Sequence, residues 1–466
     1  MGEELWRESA TSLAGLIASG SVSSREVVES HLGRIEDVNP HVNAVVEVRP
    51  DEVLAAADAA DRRTLSGDTL GPLHGVPFTI KISHDVAGYA TSEGCATLKD
   101  FMATQDAPTV ARMRGAGAVA LARTNMPDLG LRMNTESSLY GATHNPWRRG
   151  YTVGGSSGGE GAALATGMSP IGLGGDIGGS LRSPAYACGI ASIKPSRGRV
   201  PGVNPSAIVD PGLDSQVMAV SGVMARRVED VVLGLKVVMG AHPSDPQSVD
   251  VPYRGPREAR RIALVAAPSG GTTDPDVAEG VRVAGRALRD AGFEVDEVEP
   301  PMMFETYFAW AELITTTLTV SQSLLASLIG DGGRRFLELV DAGFAPSTPE
   351  SLFAMHQSRW HVAREWRSFM SDYPLVVGPT WTQPPFPLGF DIIDQESALK
   401  VVEMVRFTLP ANLLGLPAAC VPTGTANGFP TGAQIIANLY REDLCLEAAQ
   451  VVQEAVGTLT PIDPRE

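Results

Sequence analysis

Two glycine-rich runs hold the residues best able to do chemistry in this sequence of 466 residues. They are GGSSGGE, ending at Glu160, and GGDIGGS, ending at Ser180. Glycine tolerates positive φ and lets the backbone come close to a ligand. Both runs therefore leave serine hydroxyls uncovered, with free N–H groups beside them. The second run is followed by LRSPAYA, which can open a helix. The N–H groups of Ile177, Gly178, Gly179 and Ser180 would then lie at a helix N-terminus, where a developing negative charge is stabilised. Serines beside such an oxyanion cradle suit acyl transfer, provided that a base is within reach. A hinge would be polar throughout, and the apolar centre between the runs, AALATGMSPIGL, speaks against one.

Four arrangements compete for these serines. A phosphate-cradling loop needs G-x-x-x-x-G-K-[ST], and no lysine follows the glycines. The pentapeptide Gly154-Gly155-Ser156-Ser157-Gly158 matches G-x-S-x-G, which would make Ser156 the nucleophile of an α/β-hydrolase-type esterase. Its histidine would have to be His242, His356 or His361, none in a telling context. Ser397-Ala-Leu-Lys400 matches S-x-x-K, but it sits in a periodic helix without the partner motifs and reads as accidental. The fourth arrangement joins serines and a lysine from distant segments.

The segment GGSSGGEGAALATGMSPIGLGGDIGGSLRSPAYACGIASIKPSRGRV, residues 154–200, resembles the signature of the amidase signature family. The likeness extends to GPLHGVPFTIK (71–81), TNMPDLG (124–130), YGATHNPW (140–147), FTLPANLLGLPAACVPTG (407–424) and GFPTGAQIIA (428–437), and so to nearly the whole chain. The resemblance implies a Ser–cisSer–Lys triad: Ser180 as nucleophile, Ser156 as the bridge after a cis peptide bond, and Lys81 as base. It also implies an oxyanion hole from the N–H groups of Ile177, Gly178, Gly179 and Ser180. Gly130, which ends the stretch that resembles the family's pocket lining, and the adjoining Leu131 are expected to line the substrate pocket. No metal or cofactor is implied. The substrate implied is a small-molecule amide, or a carbamate in urethanase-like members. Ser157 reads as a structural hydrogen-bonder, Asp176 and Arg182 as a pair bracing the nucleophile loop, and His84 and Asp85 as a surface turn.

Ile82 stands where family members often have Asp, and Gly175 where Thr or Ser is common. Another branch comprises amidotransferase A-type subunits that release ammonia from glutamine. That branch commonly has an acidic residue just before Phe-Thr, whereas Val405 and Arg406 precede Phe407 here.

The elements that must position these residues follow from periodicity. VPFTIKI reads as a strand ending near Lys81. Strand–helix–strand alternation recurs at 261–299, where Val277, Val281, Ala284 and Leu288 mark one buried helix face. PLVVGP, AACVPTG and GAQIIAN read as short buried strands before a helix at 442–456. Two amphipathic helices occupy 9–35, with Ser23 or Ser24 capping the second. This predicts an α/β layered fold around a largely buried sheet, and the resemblance implies its amidase-signature form, a central mixed, twisted β-sheet covered by α-helices on both faces. One domain is expected over 1–466, with 240–400 more variable, largely helical and cap-like. The stretch 312–330, apolar but with a glutamate and many hydroxyls, reads as a core or pocket helix. The aromatic segment around it, 303–329, points to an apolar acyl or aryl pocket.

Thirty-seven basic against 54 acidic residues give a net charge of −17, which disfavours nucleic acid and anionic membranes as partners. Four scattered cysteines and the absence of address signals or a membrane span point to the cytoplasm; a monomer or homodimer is expected.

Overall fold

The computed structural model describes residues 4–341 and 348–466. Eleven strands form one mixed sheet. Third from one edge, the Pro77–Lys81 strand lies parallel to both Val119–Thr124 and Ile171–Asp176. From Ile171–Asp176 outward, antiparallel pairing runs through Val220–Ala225, Ala191–Lys194, Ala418–Ala426, Phe429–Ala437 and Leu375–Gly378. Arg261–Leu264 and Glu294–Glu297 then continue the far edge in parallel. Val45–Glu47 closes the near edge, antiparallel to Val119–Thr124.

Both faces of the sheet are buried, and side chains alternate between two cores. Ile262, Leu264, Leu375, Val377 and Ile435 join the larger core, packed against Leu13, Val231, Val281 and Leu446 of surrounding helices. Their neighbours Ala263, Val376 and Ile436 point the other way, against Val362, Trp366 and Met370. That two-residue alternation is the strand period, and it gives the expected helix-covered mixed sheet. The expected helical face also forms: Pro275–Asp290 buries Val277, Val281, Ala284 and Leu288, with Asp274 as N-cap and proline at the first position. Ser23 is the cap of Ser24–Val42, in a reciprocal pair with Glu26.

The stretch expected to cap the site divides in two. Residues 261–297 and 375–378 belong to the sheet and its covering helix. Helices Met303–Val320, Asp331–Asp341 and Pro349–Asp372 lie outside it, and 342–347 fall outside the described residues. The 312–330 stretch is not one helix. It breaks at Ser321 into Met303–Val320 and Gln322–Leu328, and the second piece buries no residue. No helix among the described residues is long and apolar enough to cross a membrane.

Candidate active site

Two neighbouring parallel strands end side by side and deliver the site. Pro77–Lys81 is buried along its whole length and ends on Lys81. Ile171–Asp176 runs the same way and ends on Asp176, just before the Ile177–Ser180 turn. Ligands in α/β sheets settle beyond the carboxyl ends of such strands. A cavity of about 630 Å³ opens there, lined by Lys81, Ser156 and Ser180, and also by Gly130, Leu131, Ile177 and Gly178.

Lys81 is 3% exposed, and its Nζ donates a 2.7 Å hydrogen bond to Ser156 Oγ. Burial disfavours the ammonium and lowers Lys81 to about 8, against the opposing charges of Glu93, Asp176 and Glu160. Neutral lysine is therefore accessible near physiological pH. The Gly155–Ser156 peptide bond is cis, as expected. Gly155 must be glycine because a Cβ there would lie 2.4 Å from the Arg132 carbonyl oxygen. Ser180 is buried in the same cavity. One link between the two glycine runs is through the backbone, where Ser157 N–H donates to the Ser180 carbonyl at 3.3 Å. Ser157 Oγ donates to the Gly175 carbonyl, the structural role expected of it. Among the described residues, the Ser156 and Ser180 hydroxyls form no direct hydrogen bond with each other.

Asp176 organises the Ser180 turn. Its carboxylate accepts from Gly179 N–H at 2.8 Å and Leu181 N–H at 3.0 Å, and from Arg182 and Asn412. Burial pushes this carboxyl up, but the Arg182 guanidinium and these hydrogen bonds outweigh it and hold Asp176 below the usual carboxylate range. Arg182 in turn donates to the Thr408 carbonyl, Gln434 and Asn412. The expected Asp176–Arg182 brace is thus a fully buried ion pair.

One of the four expected oxyanion donors already has a partner within the turn. Gly179 N–H is committed to Asp176 Oδ1, so it holds the turn rather than facing the cavity. That leaves Ile177, Gly178 and Ser180 as candidate donors. Gly178 has the Trp310 ring against it, 2.7 Å from where a Cβ would stand, and Trp310 Nε1 donates to the Ile177 carbonyl at 3.0 Å. Trp310, Ala311, Ile314 and Leu318 line the cavity, so the 303–329 stretch does supply an apolar wall.

Removing one partner of a buried ion pair leaves the other charge uncompensated. Arg182→Ala is expected to lower the unfolding free energy by about 3–5 kcal/mol, which a urea midpoint measurement reads directly. A midpoint unchanged from the parent would show that Asp176 is held by its other donors alone.

A correction concerns His84 and Asp85. The turn is present, with His84 N–H donating to the Lys81 carbonyl, but both residues are buried. The reason is a distant loop. Asp85 accepts from Ser206 N–H at 2.7 Å and Ser206 Oγ at 2.6 Å, and its own N–H donates to Asn204 Oδ1. Asp85 thus latches the 202–211 wall of the cavity over the turn. Ser397 and Lys400 take no part in the site: Ser397 pairs with Asp394 in a helix cap, and Lys400 with Glu396 on the surface.

Two further residues escaped sequence reasoning: Glu93 in the cavity, and Trp310 behind the Ile177–Gly178 turn. Trp310 had a signal, since it sits in the aromatic stretch. Glu93 had none beyond its nearness to Lys81 in the chain. Glu160 is buried as well, but its carboxyl accepts from the Thr79 and Thr124 hydroxyls and so ties its helix to two strands.

The sequence and the fold match known proteins. The family model described as Amidase matches residues 26–446, and the chain belongs to the amidase signature family. It is 40% identical to an indoleacetamide hydrolase of Bradyrhizobium diazoefficiens, over 98% of this chain and 88% of that protein. It is 34% identical to an acylamidase of Rhodococcus erythropolis, over 95% of this chain and 94% of that protein. Among solved structures, a bacterial aryl acylamidase of the same family superposes with a TM-score of 0.84 at 27% identity, covering 98% of this chain and 96% of that one.

Proposed function

We propose that this protein hydrolyses the C–N bond of small neutral aryl or arylalkyl amides through an acyl-enzyme on Ser180. The observation that carries the reading is the 2.7 Å bond from Lys81 Nζ to Ser156 Oγ, in a buried cavity that also holds Ser180. Neutral Lys81 takes the Ser156 proton as Ser156 takes that of Ser180, and Ser180 Oγ attacks the carbonyl carbon. The oxyanion is held by the N–H groups of Ile177, Gly178 and Ser180. Ser156 returns a proton to the departing nitrogen, the C–N bond breaks, and water cleaves the ester to release the acid. The apolar wall around Trp310 and Ile314 favours an aromatic substrate, in keeping with the indoleacetamide hydrolase and aryl acylamidase relatives. A carbamate presents the same carbonyl to the same groups, so urethane cleavage falls within this chemistry. Four buried free cysteines suit a cytoplasmic setting.

A panel of indole-3-acetamide, anilides, aliphatic amides, aryl carbamates and glutamine, with amine or ammonia release measured, tests the reading. Aromatic amides are expected to have the highest kcat/KM. Glutamine as the best substrate would overturn the reading in favour of an amidotransferase role.

A further inference from the structure

Glu93 and His84 are polar side chains of the cavity that belong neither to the Lys81–Ser156 link nor to the Asp176–Arg182 brace. Glu93 lines the cavity, is half-buried, and makes no side-chain hydrogen bond among the described residues. Its backbone is fixed. Glu93 sits at φ 50, and its carbonyl accepts from Leu129 N–H at 2.8 Å. Leu129 is left-handed too, and the next residue, Gly130, abuts the bridging serine: a Cβ there would stand 3.1 Å from Ser156 Oγ. Glu93 is therefore tied, through one hydrogen bond, to the turn that touches Ser156. Of the carboxylates around Lys81, it is the one whose charge acts most strongly on that lysine. His84 follows Lys81 in the adjoining turn, lines the same cavity, and is 5% exposed with neither ring nitrogen partnered. Burial, with Lys81 and Arg123 close by, keeps its imidazole neutral, lowered to about 3. A neutral ring offers one N–H donor and one acceptor.

Both groups thus flank the Lys81–Ser156 end of the cavity. Under the mechanism above, that end receives the leaving group, because Ser156 returns the proton to it. We propose that Glu93 is a specificity-determining residue that accepts an N–H hydrogen bond from the scissile amide nitrogen and then from the departing amine. The site so built selects carbonyl compounds whose leaving group bears N–H. An ester oxygen offers only lone pairs to the carboxyl and leaves it unpaired. A site built to hydrogen-bond a donor rejects analogues that lack it. The inference rests on the preceding reading of Ser156 as proton donor to the leaving group.

The test compares matched substrates, indole-3-acetamide and methyl indole-3-acetate, or the best amide of the panel and its methyl ester. Glu93→Gln offers an N–H₂ as well as an oxygen. It is expected to lower the ratio of amide to ester kcat/KM by about 10- to 100-fold, mostly through loss of amide turnover. Retained ester turnover shows that the variant is folded. Glu93→Asp keeps the acceptor and is expected to stay nearer the parent ratio. Amide and ester rates that fall in parallel in Glu93→Gln, or an unchanged ratio, overturn the proposal while leaving the Ser180 mechanism standing. A parent protein inactive on every amide overturns the earlier reading, and this one with it.

Discussion

Ser180→Ala is expected to lower amide hydrolysis by about 10⁴-fold or more, since removing a nucleophile that acts as a unit with its base costs nearly the whole covalent route. No second hydroxyl replaces it. Ser156 keeps its bond to Lys81, but the Ile177, Gly178 and Ser180 N–H groups belong to the other turn. The variant is expected to fold as the parent does. Asp176 grips that turn through the backbone of Gly179 and Leu181 and through Arg182, none of which needs the Ser180 hydroxyl. Intact-mass spectra taken early in turnover should show an acyl adduct on the parent and none on the variant. A variant that keeps more than a tenth of the parent rate would dismiss Ser180 as nucleophile.

The second large effect lies at Lys81. Lys81→Ala is expected to lower kcat/KM by about 10²–10⁴-fold, the usual worth of a positioned general base. The pH dependence gives the sharper signature. In the proposed mechanism the active form is the neutral amine, so activity is expected to rise as the proton is lost. With Lys81 held at about 8 by burial, kcat/KM of the parent is expected to climb through pH 8 and level above it. Lys81→Ala should lose that limb along with the rate. Lys81→Arg keeps the length and the charge but stays protonated throughout this range, so it should be as inactive as the alanine variant. An arginine variant with near-parent activity would mean that the residue acts as a fixed charge, not as a base.

Much of this was legible in the sequence because it depends on local pattern. The strand ending on Lys81, the Val277–Leu288 helix face and the Ser23 cap follow from periodicity and capping chemistry, and all are formed. The Gly155–Ser156 and Ile177–Ser180 turns were legible because only glycine fits where the Arg132 carbonyl closes on Gly155 and the Trp310 ring on Gly178. What stayed hidden depends on contacts remote in the chain. His84 and Asp85 read as a surface turn, yet the Asn204–Ser206 loop folds over them. Gly179 reads as an oxyanion donor, yet Asp176 turns back to take its N–H. Glu93 lies in an ordinary-looking SEGC stretch, and its place in the cavity is set by a carbonyl that meets Leu129. The 312–330 run looks uniform in composition but breaks at Ser321.

The central claim is that Ser180, not Ser156, forms the covalent bond. Labelling the parent protein with a fluorophosphonate, digesting it and mapping the modified peptide by mass spectrometry tests this most directly. The account predicts a single stoichiometric adduct on Ser180, slowed in Lys81→Ala. An adduct on Ser156 would contradict it and return the G-x-S-x-G reading.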